Sequence, residues 1–182
     1  MHEEVIISGF GGQGALFAGQ LLTYAGMAQG KEVTWIPSYG PEMRGGTAHC
    51  IVIVSDEPIG SPIISHPTAA IVLNPPSMDK YESLVKSGGL LIINSSLVPR
   101  SPVREDIRVV KVPASEISEQ LMGSARLANM VTLGALVEMT NVVPLEALSA
   151  ALEEHLPQRH RDLLEPNKEA LKRGADAARV AA

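Results

Sequence analysis

The chain has 182 residues, 45% of them hydrophobic but only 3% aromatic, and a net charge of −5. That is the length of one domain with ample core material, drawn from Val, Ile, Leu and Ala rather than from rings. Without clustered Lys or Arg a nucleic-acid surface is excluded, and the single cysteine, Cys50, excludes an intramolecular disulfide, a four-cysteine iron–sulfur cluster and a zinc knuckle.

The first strand is expected at 4–8 ("EVIIS"), entered with no basic leader before it, so a soluble cytoplasmic protein is expected. No apolar run approaches the ~18 residues that cross a bilayer. A helix follows over 15–29, where Leu16, Gly19, Leu22 and Gly26 share one stripe. Strands are then expected at 33–36 and 48–55. The 37–47 link between them is short and rich in Gly and Pro, too irregular for a crossover helix, so one of the pair should run antiparallel. Residues 56–67 read as an irregular surface excursion. Further strands are expected at 69–74, 90–94 and 109–112, with a helix over 77–87 capped by Ser77 and stopped at Gly88-Gly89.

From about 115 the chain reads as helical. Leu127, Met130, Val131 and Gly134 form one face; Leu145, Leu148, Leu152 and Leu156 form another, opened by Pro144 in a first turn. Pro157 and Pro166 are expected to break the region, because proline is excluded from helix interiors. These elements describe an α/β fold: one three-layer α/β/α domain over 1–182, a mostly parallel but mixed central sheet, and a helical C-terminal tail over 156–182.

Gly9-Phe-Gly-Gly-Gln-Gly14 has the G-x-G-x-x-G spacing and sits between a strand and a helix, the context in which that spacing carries meaning. A dinucleotide site also needs an acid at the end of the second strand for the ribose. Here Ser38 follows "VTWIP", and Glu32 sits before the strand, at its wrong end. No Lys-Ser or Lys-Thr follows the glycines, so the loop is no Walker phosphate cradle. A packing turn, a dinucleotide site and an anion- or subunit-facing turn are the three readings of the loop.

Ligands of an open α/β sheet gather beyond the carboxyl ends of its strands. The segments there are Gly11, Gly12, Gln13 and Gly14; Ser38, Tyr39, Gly40, Pro41, Glu42, Arg44, Gly45 and Gly46; Asn74; and Asn94. Among these turns only Arg44 is basic. Its guanidinium can clamp a phosphate or carboxylate, or pair with Glu42. Tyr39 can stack on a ring or cap the sheet. His49, His66, His155 and His160 show no ligand spacing, and no Ser–His–Asp, Cys–His or paired-carboxylate arrangement emerges. No metal site and no catalytic residue is expected in this chain.

The segments "GFGGQGALFAGQLL", "SYGPEMRGGTAHCIVIVSDEPIGSP", "IVLNPPSMDKYESLVKSGGLLIINSSLV" and "LANMVTLGALVEMT" together resemble the gamma subunits of 2-oxoacid:ferredoxin oxidoreductases, over about residues 4–155. "YGPEMRGG", "LNPPSMDKYE" and "NSSL" resemble most the 2-oxoglutarate type; gamma chains for pyruvate, branched-chain 2-oxoacids and indolepyruvate are the alternatives. The resemblance implies an enzyme of several subunits that decarboxylates a 2-oxoacid oxidatively, forms an acyl-coenzyme A and reduces ferredoxin. It implies alpha, beta and ferredoxin-like delta partners carrying thiamine diphosphate, Mg and iron–sulfur clusters, with this chain binding no cofactor alone. It implies that Gly11 to Gly14 and Ser38 to Gly46 meet either coenzyme A or a neighbouring subunit. Expressed alone, such a chain is expected to self-associate as a dimer over the apolar surface its partners would cover. Two rivals of other classes are a stand-alone NAD(P)- or FAD-dependent oxidoreductase and a pure scaffold subunit.

Overall fold

The computed structural model describes residues 1–38 and 47–181. Six strands form one sheet in the order β2-β3-β1-β4-β5-β6. They span His2–Phe10 (β1), Glu32–Ser38 (β2), Thr47–Ser55 (β3), Ala69–Val72 (β4), Leu90–Asn94 (β5) and Arg108–Val112 (β6). β1, β4, β5 and β6 are parallel. β3 runs antiparallel to both β1 and β2, which is the reversal that the short 37–47 link requires. The mixed sheet is therefore as expected.

Period-two alternation splits the sheet residues between two cores. Val5, Ile7, Ile71, Leu90 and Ile92 face the larger one, built with α1 (Ala15–Ala28), α3 (Ala114–Met122), α4 (Ala128–Thr140), α5 (Leu145–His155) and α6 (Leu164–Ala181). Ile6, Val72, Leu91 and Ile93 face the smaller one, covered by α2 (Pro75–Tyr81) and a following 3-10 turn. The three layers are thus unequal, with most of the helical mass on one face. Burying β4 and β5 on both sides is what their unbroken apolar runs specify.

Three expectations are corrected. The helical run expected over 77–87 ends at Leu84, short of Gly88-Gly89. The α2 cap is Asn74, whose Oδ1 accepts the Ser77 N–H at 2.9 Å, with prolines in the first helical positions; Ser77 lies inside the helix. Pro166 does not break α6 but occupies its first turn, where a missing N–H costs nothing because that N–H has no intrahelical acceptor.

The C-terminal helix is tied to the core by an unusually close crossing. A Cβ on Gly134 of α4 would strike the Leu171 carbonyl, and one on Gly174 of α6 would strike the Val131 carbonyl. The two glycines face each other's backbones, so α4 and α6 touch main chain to main chain. Among the described residues no helix is long and apolar enough to span a membrane.

Candidate functional site at the carboxyl edge of the sheet

Sheet register brings the expected site residues to one edge. β1 ends at Phe10, opposite Thr47, and β2 ends at Ser38, opposite His49. β4 and β5 end beside them, so Gly11 to Gly14, Ser38, Asn74 and Asn94 share this edge, while Glu32 starts β2 at the opposite one. Tyr39, Gly40, Pro41, Glu42, Arg44, Gly45 and Gly46 lie outside the described residues. Both flanks of their segment, Ser38 and Thr47, end at this same edge.

The glycine turn has a specific construction. Gly12 and Gly14 adopt φ of 99° and 76°, the left-handed region that only glycine enters freely. Gln13 does not reach outward. Its Oε1 accepts the Phe10 N–H at 2.6 Å and the Asn74 amide at 3.1 Å, and its Nε2 donates to the Leu73 carbonyl at 3.4 Å. Asn94 donates to Leu73 O at 3.4 Å and Ser115 Oγ at 3.0 Å, and accepts the Ser115 N–H at 3.3 Å. Three side-chain amides therefore brace the loops after β1, β4 and β5 around one carbonyl. Asn74 and Asn94 are fully buried, so their polar atoms serve the frame. What the turn leaves outward is backbone: Gly11 and Gly12 are exposed, and the N–H groups of Gly11, Gly12 and Gly14 meet no partner among the described residues.

Beside the turn lies a cleft of about 210 Å³, walled by Gly12 and Gln13, Leu73, Ser115, Arg126 and Ala128 among others. Three helices, α1, α3 and α4, begin at its rim, and none carries a side-chain cap on its N-cap residue. Asn94 and Ser96 meet the first N–H groups of α3; the start of α1 has no such substitute. Helix starts carry partial positive charge and favour anions. Arg126 adds a full charge: it is exposed and forms no ion pair among the described residues, and no acidic side chain lines the cleft. Larger hollows, of about 600 and 650 Å³, lie between α5 and α6 and near His66. The first is rich in Glu and Lys that pair with each other, and neither adjoins the end of a parallel strand.

Arg126 precedes a helix rather than following a strand, so strand ends alone do not point to it. "GSARLAN", a glycine stop followed by a new apolar helix, was the available signal. Two further ionisable groups, His49 and Cys50, lie in β3. Burial, aided by Lys80, pushes the His49 pKa below its ordinary value, and its ring rests 5.6 Å from that of Tyr81. Burial pushes the Cys50 thiol up to about 12. No cluster of three metal-ligating side chains occurs among the described residues.

Known proteins share this framework. The model of the pyruvate ferredoxin/flavodoxin oxidoreductase family matches residues 4–177. The chain is 36% identical over 160 residues to the 2-oxoglutarate synthase subunit KorC of Methanocaldococcus jannaschii, covering 87% of this chain and 86% of that protein. Its fold matches the gamma subunit of the keto/oxoacid ferredoxin oxidoreductase from Geobacter sulfurreducens PCA with a TM-score of 0.87 and 32% identity, over 100% of this chain and 98% of the other. It also matches the 2-oxoglutarate:ferredoxin oxidoreductase of Magnetococcus marinus, solved with 2-oxoglutarate, coenzyme A and succinyl-CoA bound. There the TM-score is 0.88 at 23% identity, a likeness of fold, and this chain spans 32% of that longer one.

Proposed function

The chain belongs to the pyruvate ferredoxin/flavodoxin oxidoreductase family, and we propose that it is the gamma subunit of a 2-oxoglutarate:ferredoxin-type complex, forming the coenzyme A side of a site completed by other subunits. The observation that carries this reading is the cleft: the uncapped start of α1, with backbone N–H groups of the glycine turn and an Arg126 that find no partner among the described residues, and no metal-ligating cluster among those residues. Such a wall can hold the phosphates of a cosubstrate but cannot break its bonds. Thiamine diphosphate, Mg and the iron–sulfur clusters then reside in alpha, beta and delta partners, and ferredoxin is reached through the complex. In this reading the segment Ser38 to Gly46 belongs to the same function, with Arg44 as a second cation for the ligand. The complex is cytoplasmic.

The family description names pyruvate, the relative's name 2-oxoglutarate, so the acyl donor is decided by assay. The assembled complex should reduce ferredoxin with 2-oxoglutarate and coenzyme A, and more slowly with pyruvate. In that complex Arg126→Gln should raise the KM for coenzyme A roughly ten- to hundredfold, the value of a charge-assisted contact of ~1.5–3 kcal/mol. An unchanged KM with intact assembly rejects the anion-binding role.

A further inference from the structure

Asn129 stands where the site meets the rest of the fold. It is the second residue of α4, only 5% exposed, and its Nδ2 donates to the Gly14 carbonyl at 3.1 Å across 115 residues of sequence. That carbonyl also accepts the first helical bond of α1, from the Ala18 N–H at 3.0 Å. A Cβ on Gly14 would strike the Asn129 amide, so any side chain at 14 conflicts with asparagine at 129 as placed. The Asn129 Oδ1 is buried and meets no donor among the described residues. Turning the amide over would set oxygen against the Gly14 carbonyl, so the orphan is the consequence of the one bond that is made. Stability alone would favour an apolar residue of the same shape, which strands no acceptor.

We propose that Asn129 is a positioning residue for the glycine turn, fixing Gly14 so that Gly11 and Gly12 keep the conformation that receives the ligand. The turn is then gripped from two sides. Gln13 ties it to β4 through Leu73 and Asn74, and Asn129 ties it to α4. The exposed backbone between the grips is the part that lines the cleft. Asn129 does not touch the ligand; it acts through Gly14. This inference rests on the coenzyme A reading for its kinetic consequence but not for its structural one.

Two variants separate positioning from folding. Asn129→Leu keeps the shape and removes the stranded oxygen, so its melting temperature should match or exceed that of the native chain. Asn129→Asp sets an acceptor against the Gly14 carbonyl. In the assembled complex both should raise the KM for coenzyme A about tenfold, the loss of one hydrogen bond's worth of order, with kcat within about twofold. An unchanged KM in both overturns the proposal, as does a KM rise matched by Gly134→Ala, which loosens α4 without touching the turn. Hydrogen exchange on the full chain decides the matter even if the native complex shows no coenzyme A-dependent turnover. The Phe10 and Gln13 amides, both bonded within the turn, should exchange faster in each variant while β5 amides do not. Equal rates in the turn overturn the proposal; the absent turnover would count against the substrate reading alone.

Discussion

Replacing Gly134 by alanine sets two effects of opposite sign against each other. Alanine is the better helix former by about 1 kcal/mol in a helix interior, so a spacious crossing predicts a more stable protein. The crossing of α4 and α6 is not spacious. The new Cβ would lie 2.7 Å from the Leu171 carbonyl carbon and 2.9 Å from its Cα, against ~3.5–4.0 Å for ordinary carbon contacts. The Leu171 carbonyl oxygen is closer still, all are main-chain atoms and no rotamer change relieves them, so the helices must part by about 1 Å or more. A gap of that size forfeits a quarter to a half of the dispersion energy along the contact, which includes the buried Ala170, Leu171, Ala175 and Ala178. Overpacking of this kind typically costs ~1–3 kcal/mol or more, and with rigid backbone on both sides the upper end applies. After the helix-propensity gain, about 2 kcal/mol of destabilisation remains. At ~2–4 °C per kcal/mol for a chain of this size, the melting temperature should fall by roughly 4–8 °C. Circular dichroism melts of Gly134→Ala and Gly174→Ala measure it. Gly60→Ala, where a Cβ meets nothing within 4 Å, is the control and should shift little. A rise in melting temperature for Gly134→Ala would refute the close crossing, because only the propensity effect would be left.

Two further outcomes follow from buried ionisable groups. Glu82 is 4% exposed at its side chain and receives Arg100 at 2.7 Å together with the N–H groups of Val103 and Arg104. Burial alone would push its carboxyl up, but these donors outweigh burial and hold it below the usual glutamate value. Its stabilisation is therefore present above the ordinary glutamate range and lost as pH falls through the lowered folded value. Glu82→Gln should cost about 2–3 kcal/mol at pH 7, with the melting gap to the native chain closing below about pH 4; a gap constant down to pH 3 would contradict this. The Cys50 thiol, pushed by burial up to about 12, should ignore a thiol reagent at pH 8 in the native chain and react fully in urea. One equivalent of fast reaction without denaturant would show that the helix α1 side of the sheet opens.

The strands were legible because β-branched runs bounded by Gly, Pro and Asn leave few alternatives, and that one of β2 and β3 reverses followed from the length of their connection, though not which of the two. Helix ends were less so. Asn74-Pro-Pro-Ser77 is a capping pattern in plain view, an asparagine cap with proline just inside the start, yet position at a strand end favoured reading Asn74 as a ligand contact. Gly134 was recognised only as part of a helical face. Its partner Gly174 lies 40 residues on, beyond a segment whose prolines argued against a long helix, and nothing local says that two such glycines meet. Of the site, the glycine turn and the edge that collects it were readable. The bracing by Gln13 and Asn129 was not, because a side chain that turns inward to a carbonyl has the same local sequence as one that reaches outward. Arg126 escaped because it belongs to a helix start that the sheet, not the sequence, carries to the edge.

The strength of this cleft depends on what covers it. A unit charge 4 Å from Arg126 in open water gains ~1 kcal/mol, and salt screens much of that. At the effective dielectric constant of a partly covered surface the same pair gains ~4 kcal/mol. The helix starts behave alike, their contribution shrinking with exposure. Arg126 and the outer glycines of the turn are exposed in this chain, so the wall by itself should hold a phosphate weakly. A second wall that excludes water would multiply every one of these interactions without adding a charge. In the proposed reading the arrangement is a half-site, whose affinity arises when a facing subunit closes over it and excludes water from Arg126 and the glycine turn.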